Sequence, residues 1–468
     1  MLFLIVVVFH FLCVVMKKKI LGWYYHLLAW LAKRYISQHK PLVIGINGSV
    51  GKTSSRMIIA QTLEKFLPHQ KIYTSPKNFN GELWLSLSIF GIESFFPRVY
   101  DFLYTLFHAL DLVFVSRKKP YDILILEYGI DTPGEMDFLL SIVKPDIGVF
   151  TAIDSVHSEQ FGDPGAIAKE EIKMILATKE TAFLNRDDDY AVQLYPRVQI
   201  EKFSYQTEWY DSDADIRIEN ELFVYDDGVY VTFDLHVKNT KTTIKTNMIG
   251  KAHNGYVWVA LTIADMLVYR YEQRSILADL DAITIEYTLQ PGRLSVFGGY
   301  RDSVIVDGSY NASPRSVKKT IGAAHMLRQQ LYPEHKILVV LGDMKELGDL
   351  SEQEHRQIVS YVQWVADRVY LVGDMMTRFA ADELDKIGFD MDTVQTSLSA
   401  LDIGDALRAL LKDSDEKYIV VFKGSQNTVF LEESIKQILA DPADVGLLPR
   451  QNNWWMERKN KFFESLRK

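Results

Sequence analysis

The chain holds a single cysteine, Cys13, in 468 residues. One thiol excludes an internal disulfide framework, so the fold must rest on packing and hydrogen bonds. An excess of positive charge is also missing. The 61 acidic side chains outnumber the 52 Lys and Arg, for a formal net charge of -9. This balance argues against a general nucleic-acid binder, whose footprint is basic. Internal repeats and low-complexity segments are absent as well, which excludes a solenoid. Hydrophobic residues make up 48% of the chain, enough for two or three domains with proper cores.

The one long apolar run stands at the front. MLFLIVVVFHFLCVVM is followed by Lys17, Lys18 and Lys19. As a helix it spans about 24 Å, short of the roughly 30 Å hydrocarbon core of a bilayer. Continuation through Ile20 and snorkelling lysines would close the gap. A secretory signal would carry its positive charges before the run and a small-residue cleavage site after it, and neither is seen. The run reads as a retained anchor that leaves the body on the cytoplasmic side of the cell membrane. A hydrophobic helix packed on a cytoplasmic protein is the alternative. The next stretch, LGWYYHLLAWLAKRYISQHK, is aromatic and basic. It fits either an amphipathic helix along a bilayer surface or a helix packed on the first domain.

Beyond residue 40 the pattern is α/β. PLVIGI reads as a strand, and SSRMIIAQTLEKF as a helix with Met57, Ile58 and Leu63 available for burial. YDILILEYG, DIGVFTAI and TAFLN are short apolar runs of the kind that form parallel strands covered on both faces. IRIENELFVYDDGVYVTFDLHV alternates around a D-G turn, which indicates an antiparallel patch. Pro291-Gly292 punctuates a hinge near Gln290 to Arg293. SVIVDG, KILVVLGD, RVYLVG and KYIVVFKG then supply strands of a second, Rossmann-like unit. The expected division is a hydrophobic and amphipathic lead over 1–40, a central domain with a mostly parallel sheet over 41–291, a C-terminal α/β domain over 292–440, and a peripheral polar and aromatic tail over 441–468.

The first strand runs into GINGSVGKTSS, from Gly45 to Ser55. Gly48 and Gly51 allow a tight turn that exposes backbone N–H groups, joined by those of Ser49 and Ser54. Lys52 can reach terminal phosphates, and the Thr53 hydroxyl can ligate magnesium. The strict phosphate-loop pattern needs glycine at position 46, where Ile46 stands, so the loop is a variant. A strand before it, a helix after it and the GKT core point to ATP and Mg2+.

The loop is followed in order by SPKNFNGE, LEYGIDTPGE, HSEQFG, GKAHN, DGSYNASPRS, LGDMKELGDLSEQEH and FKGSQN. This series resembles the Mur ligases, the ATP-dependent amino-acid and peptide ligases of peptidoglycan synthesis. It is most like the branch that adds D-Ala-D-Ala to a UDP-linked muramoyl tripeptide. The resemblance implies a carboxylate activated as an acyl phosphate and then attacked by an amine. It implies Glu127 as a magnesium carboxylate, His157 near a second metal or the substrate, and Asn78 and Asn80 as substrate contacts. His253 and Asn254 would meet the nucleotide, Arg293 the phosphates and Asp307 the ribose. Asn311 and Lys423 would meet substrates, with Lys423 on the carboxylate of the incoming amine.

Three departures stand out. Relatives carry a lysine modified by carbon dioxide beyond the histidine, and the corresponding position here is Glu171. Either Lys169 shifts into the site or Glu171 supplies a carboxylate directly, with a slight preference for Lys169. Gln426 and Asn427 follow KGS where arginine is common. The N-terminal domain that grips the UDP-sugar is not matched. The donor is therefore expected to be a UDP-linked or a lipid-linked precursor, the amine D-Ala-D-Ala or another acceptor, and the protein a monomer. Rival expectations are a related ligase acting on another carboxylate, such as poly-gamma-glutamate, and a membrane-associated ATPase scaffold.

Overall fold

Continuous apolar strands need cover on both faces, and the first domain provides it. The computed structural model describes residues 2–75, 81–95, 98–116, 119–154, 161, 164–206, 215–237, 240–425 and 429–467. Helix α1 (Leu2–His39) leads into β1 (Leu42–Asn47), and α2 (Lys52–Phe66) follows the glycine loop. After β2 (Ile72–Thr74) come α3 (Glu82–Ile89), α4 (Val99–Leu110), β3 (Ile123–Glu127), α5 (Glu135–Ile142), β4 (Ile147–Phe150), β5 (Thr181–Asn185) and β6 (Glu201–Tyr205). The sheet order is β2-β3-β1-β4-β5-β6, with every pairing parallel.

Side chains alternate across this sheet. Ile44, Ile46, Ile123 and Ile125 pack on one side with α2 and Trp258. Val43, Leu124 and Leu126 pack on the other with Leu28, Leu31 and Tyr35 of α1. The chain leaves β1 for the β3 side and later returns to the β4 side. A crevice at the strands' C-terminal ends follows from this reversal, where such sheets place ligands.

The alternating segment forms β7 (Ile216–Tyr225) and β8 (Val229–Val237), paired antiparallel. Its D-G turn holds Asp227 at φ 52°. With β9 (Thr240–Thr246) and β10 (Ala282–Ile285) they form a small second sheet. The C-terminal domain holds β11 (Ser295–Gly298), β12 (Val304–Gly308), β13 (Lys336–Gly342), β14 (Arg368–Val372), β15 (Val394–Ser397) and β16 (Tyr418–Lys423). Their order is β11-β12-β16-β13-β14-β15, parallel except for β11.

Among the described residues, no helix is long and apolar enough to cross a membrane, and the side chains of the apolar run over residues 1–20, on which the anchor expectation falls, lie outside what is described. Of the two readings of the aromatic, basic stretch that follows, the later part of α1 packs on the first domain, burying Leu28, Leu31, Ala32 and Tyr35. One expectation changes: the tail is not peripheral. Its helix Asn453–Leu466 buries Phe463 and Lys459, and the Lys459 ammonium meets Glu432 at 2.8 Å and Glu433 at 2.6 Å. Breaking one partner of such a buried pair leaves an uncompensated charge, which makes the tail part of the C-terminal domain.

Candidate active site

The glycine loop closes tightly over the end of β1. Gly48 has φ 120° and Gly51 φ 90°, a region that side chains rarely adopt. A Cβ would also fall 2.3 Å from Thr151 Oγ1 at Gly48 and 2.0 Å from Tyr256 Oη at Gly51. The Ser49 N–H donates to the Ala152 carbonyl at 2.8 Å, which ties the loop to the chain after β4. Lys52 and Thr53 open α2 and are buried. The Lys52 ammonium donates to the Gly48 carbonyl and, at 3.5 Å, to that of Ser49.

Glu127 ends β3 beside this helix. Its carboxylate accepts from Arg56 Nε at 2.5 Å and from Thr53 Oγ1 at 3.5 Å. Arg56 lies one turn beyond Thr53 and is buried. Its Nη1 donates to Thr74 Oγ1 at 2.8 Å, while its Nη2 is buried without a partner among the described residues. A buried, unsatisfied guanidinium donor is costly unless an acceptor arrives.

Glu171 and Lys169 lie on helix Pro164–Ala177. Two residues apart, they point about 200° from each other around the axis. Glu171 is buried against the loop, accepting from Asn47 Nδ2 at 3.0 Å and the Gly48 N–H at 3.2 Å. Burial raises its pKa above the usual carboxylate range, opposed by Lys52 and these two donors. Lys169 is exposed. The geometry therefore brings Glu171 to the loop, against the preference for Lys169 read from spacing.

Between the two domains lies an open cleft. The loop contributes Gly51 and Ser54, helix Lys251–Glu272 contributes His253 and Tyr256, and the hinge contributes Arg293. The C-terminal domain adds Tyr310, Asn311, Arg315, Lys319 and Lys423. Among the described residues, two arginines and two lysines line this cleft and no carboxylate does. Such a site suits a polyanion, because each phosphate offsets repulsion among the cations.

The electrostatics agree. Burial drives His253 down to about 3, helped by Arg293, Lys319 and Lys423, so its imidazole is neutral at working pH. Lys423 is pushed down to about 7 by burial and by Arg293. Its ammonium donates to the carbonyls of Asn311 at 2.6 Å and Gly308 at 3.1 Å. Arg293 lies over the Tyr310 ring at 4.6 Å, and its Nε is buried without a partner among the described residues.

A proton should accompany anion binding here. An anion beside Lys423 favours the ammonium and raises its pKa from about 7. Near pH 8 the empty site is mostly neutral at this residue, so binding should take up a fraction of a proton. Calorimetry of ATP binding in buffers of differing ionisation enthalpy should show that uptake, and Lys423→Arg should remove it. Equal apparent enthalpies across buffers would refute the assignment.

Other expected residues lie elsewhere. Asn254 turns from the cleft and donates to Glu221 Oε1 at 2.7 Å. Asp307 is fully buried, absent from the cleft lining, and pushed up to about 6 by burial. Its Oδ1 accepts from the Ser309 N–H at 2.8 Å. Asn78, Asn80 and His157 lie outside the described residues.

Sequence reasoning missed several contributors. Arg56 is one. Arg315 joins the domains, with Nη1 on Asp188 at 3.1 Å and Nη2 on the Asp187 carbonyl at 2.8 Å. Ser313 adds a bond to Asp154 at 2.6 Å. Arg450 from the tail donates to the carbonyls of Ser309 at 2.8 Å and Tyr310 at 3.0 Å. It thereby fixes the segment on which Arg293 stacks.

Residues 46–264 match the Mur ligase middle domain, and residues 292–426 the Mur ligase glutamate ligase domain. The chain belongs to the Mur ligase family. The UDP-N-acetylmuramoyl-tripeptide–D-alanyl-D-alanine ligase of Bacillus subtilis is 26% identical over 418 residues, which cover 89% of this chain and 79% of that one. In fold, the chain is similar to the MurF ligase of Thermotoga maritima in complex with ADP. That likeness has a TM-score of 0.66 and 22% identity over 88% of this chain and 83% of the other. MurF from Acinetobacter baumannii gives a TM-score of 0.67 at 19% identity, covering 90% and 80%. This Mur ligase family member is an ATP-using ligase with an α/β, multi-domain architecture.

Proposed function

We propose that the chain joins D-Ala-D-Ala to UDP-MurNAc-tripeptide, with ATP split to ADP and phosphate. The observation that carries this reading is the cationic cleft between the glycine loop and the C-terminal domain, to which no carboxylate contributes among the described residues. Similarity to the Bacillus subtilis enzyme along most of both chains supports the choice of substrates.

The residues fit the groups this chemistry needs. Thr53 Oγ1 and the Glu127 carboxylate face each other beside the loop, and both are hard oxygen donors of the kind magnesium takes. These two would hold the ion. ATP and magnesium, when bound, supply the phosphoryl group and the charge neutralisation that make a carboxylate reactive. The chain's own residues do the rest. Lys52 and the N–H groups that open α2 hold phosphate oxygens, since those of Gly48 and Ser49 are taken by Glu171 and Ala152. Arg293, with its free Nε, meets them from the hinge. Arg56 orients the Glu127 carboxylate, and Glu171 supplies negative charge beside Lys52 without a modified lysine. Closure of the C-terminal domain keeps water from an acyl phosphate.

The deciding experiment measures ADP release with magnesium and UDP-MurNAc-tripeptide, with and without D-Ala-D-Ala, and weighs the product. Release that needs both substrates and gives the pentapeptide mass is the expected result. An enzyme that binds ATP yet forms no such product would overturn this substrate pair and leave another carboxylate, lipid-linked precursors first.

A further inference from the structure

Helix α1 has two faces. Leu28, Leu31, Ala32 and Tyr35 point into the first domain, while Trp23, Leu27 and Trp30 point outward. Trp23 is 81% exposed. Its neighbour α4 repeats the arrangement. Thr105 and Ala109 are buried, while Val99, Leu103 and Phe107, at four-residue spacing, are exposed with Tyr100 and Tyr104. The two helices touch. Tyr24 Oη donates to the Phe102 carbonyl at 2.8 Å, and their rings lie 5.0 Å apart. Beyond α4, the exposed Phe114 lies 6.3 Å from Trp30, with Arg34 over both rings. The outward faces therefore form one contiguous aromatic and aliphatic patch. A soluble protein rarely leaves such a patch uncovered without a partner for it.

We infer that this α1–α4 face docks in the headgroup layer of an anionic lipid bilayer. Charge selects this partner. In a chain of net charge -9, α1 carries Lys17, Lys18, Lys19, Lys33 and Arg34 and no acidic residue. Exposed Arg98 precedes α4. Opposing charges come from Asp101 and exposed Asp111 on the α4 side, from exposed Glu93 ahead of α4, and from Glu82 beside Tyr25. Composition selects it too, since Trp and Tyr beside Lys and Arg are the residues of membrane interfaces. Continuity is the third argument. The helix that bears Trp23 and Trp30 extends unbroken toward the N-terminus, through three lysines into the apolar run of the sequence. Attachment is in the plane of the membrane and requires no crossing. It is independent of the substrate reading, although it would hold the ligase near lipid-borne substrates.

The test is sedimentation of the full chain with phosphatidylcholine vesicles, with and without phosphatidylglycerol. Binding should need the anionic lipid and weaken with salt. The α4 variant Leu103→Glu/Phe107→Glu should bind about tenfold more weakly or worse, with ATP binding unchanged as the check on folding. Lys33→Gln/Arg34→Gln, which keeps the apolar face, should lose much of the preference for anionic vesicles. A chain lacking residues 1–20 should keep that preference. The inference is overturned if the α4 variant sediments like the parent, or if removing residues 1–20 abolishes binding. It is also overturned if the parent ignores vesicles and forms dimers that the α4 variant dissolves, which would make the face a protein interface.

Discussion

Lys52→Ala should lower the rate of ATP-dependent ligation by about a thousandfold, the loss typical when one preorganised charge contact is removed. The ammonium sits at the junction of the glycine loop and α2, held on loop carbonyls of Gly48 and Ser49. Those bonds keep it aimed into the loop before any phosphate arrives, so little reorganisation is needed when charge develops. Arginine is no substitute. Its planar fork is wider, and the loop has no slack where Gly48 meets Thr151 and Gly51 meets Tyr256. Folding should survive, because the alanine variant forgoes only bonds worth about 1 kcal/mol each. The measurement is ADP release with both substrates present, beside a thermal melt of each protein. A variant that melts like the parent and still ligates within tenfold of it would remove Lys52 from the mechanism.

The cleft draws on both domains, and its parts are tied together by residues distant in sequence. Arg315 and Ser313 fasten the start of helix Pro314–Gln330 to Asp188 and Asp154 at the far side of the first sheet. Arg450 braces Ser309 and Tyr310 from the tail and pairs with buried Glu432 at 2.6 Å. The tail, the hinge and the C-terminal domain thus converge on Arg293, which lies over the Tyr310 ring that Arg450 braces.

How far this was legible follows from the kind of signal each residue leaves. ILILE of β3 and ILVVLG of β13 announced themselves because both faces of a parallel strand are buried. The short strands β2, β10 and β15 carry three or four residues each and leave no such run. The loop was legible because its glycines answer a local backbone need. Arg56 was not, because its value lies in facing Glu127, 71 residues away. The HN pair shows the same limit. One residue enters the cleft and its neighbour, about 100° around the helix, pairs with Glu221. The tail read as peripheral because Lys459 and Arg450 look like surface residues until Glu432 is brought beside them. For residues 21–39, the packed alternative holds on the face of Leu28, Leu31 and Tyr35.

Glu171→Gln should cost about ten- to a hundredfold in kcat, the range for residues that orient a ligand shell, while Lys169→Ala should stay within about twofold of the parent. Spacing alone leaves these two residues competing for one role. Helix geometry separates them, since only one of two positions about 200° apart can face the loop. Glu171 holds the Gly48 N–H and the Asn47 amide and lies beside Lys52. Glutamine keeps the size of the side chain and removes its charge, so the loss measures charge rather than packing. A side chain that is already a carboxylate needs no carbon dioxide. Activity of the parent should therefore be indifferent to added bicarbonate and to rigorous degassing. Rates for the three proteins with and without bicarbonate, each with its melting temperature, make the test. Collapse of Lys169→Ala, rescue of that variant by a short free carboxylate, and bicarbonate dependence of the parent would together return the role to the lysine and require the helix to turn.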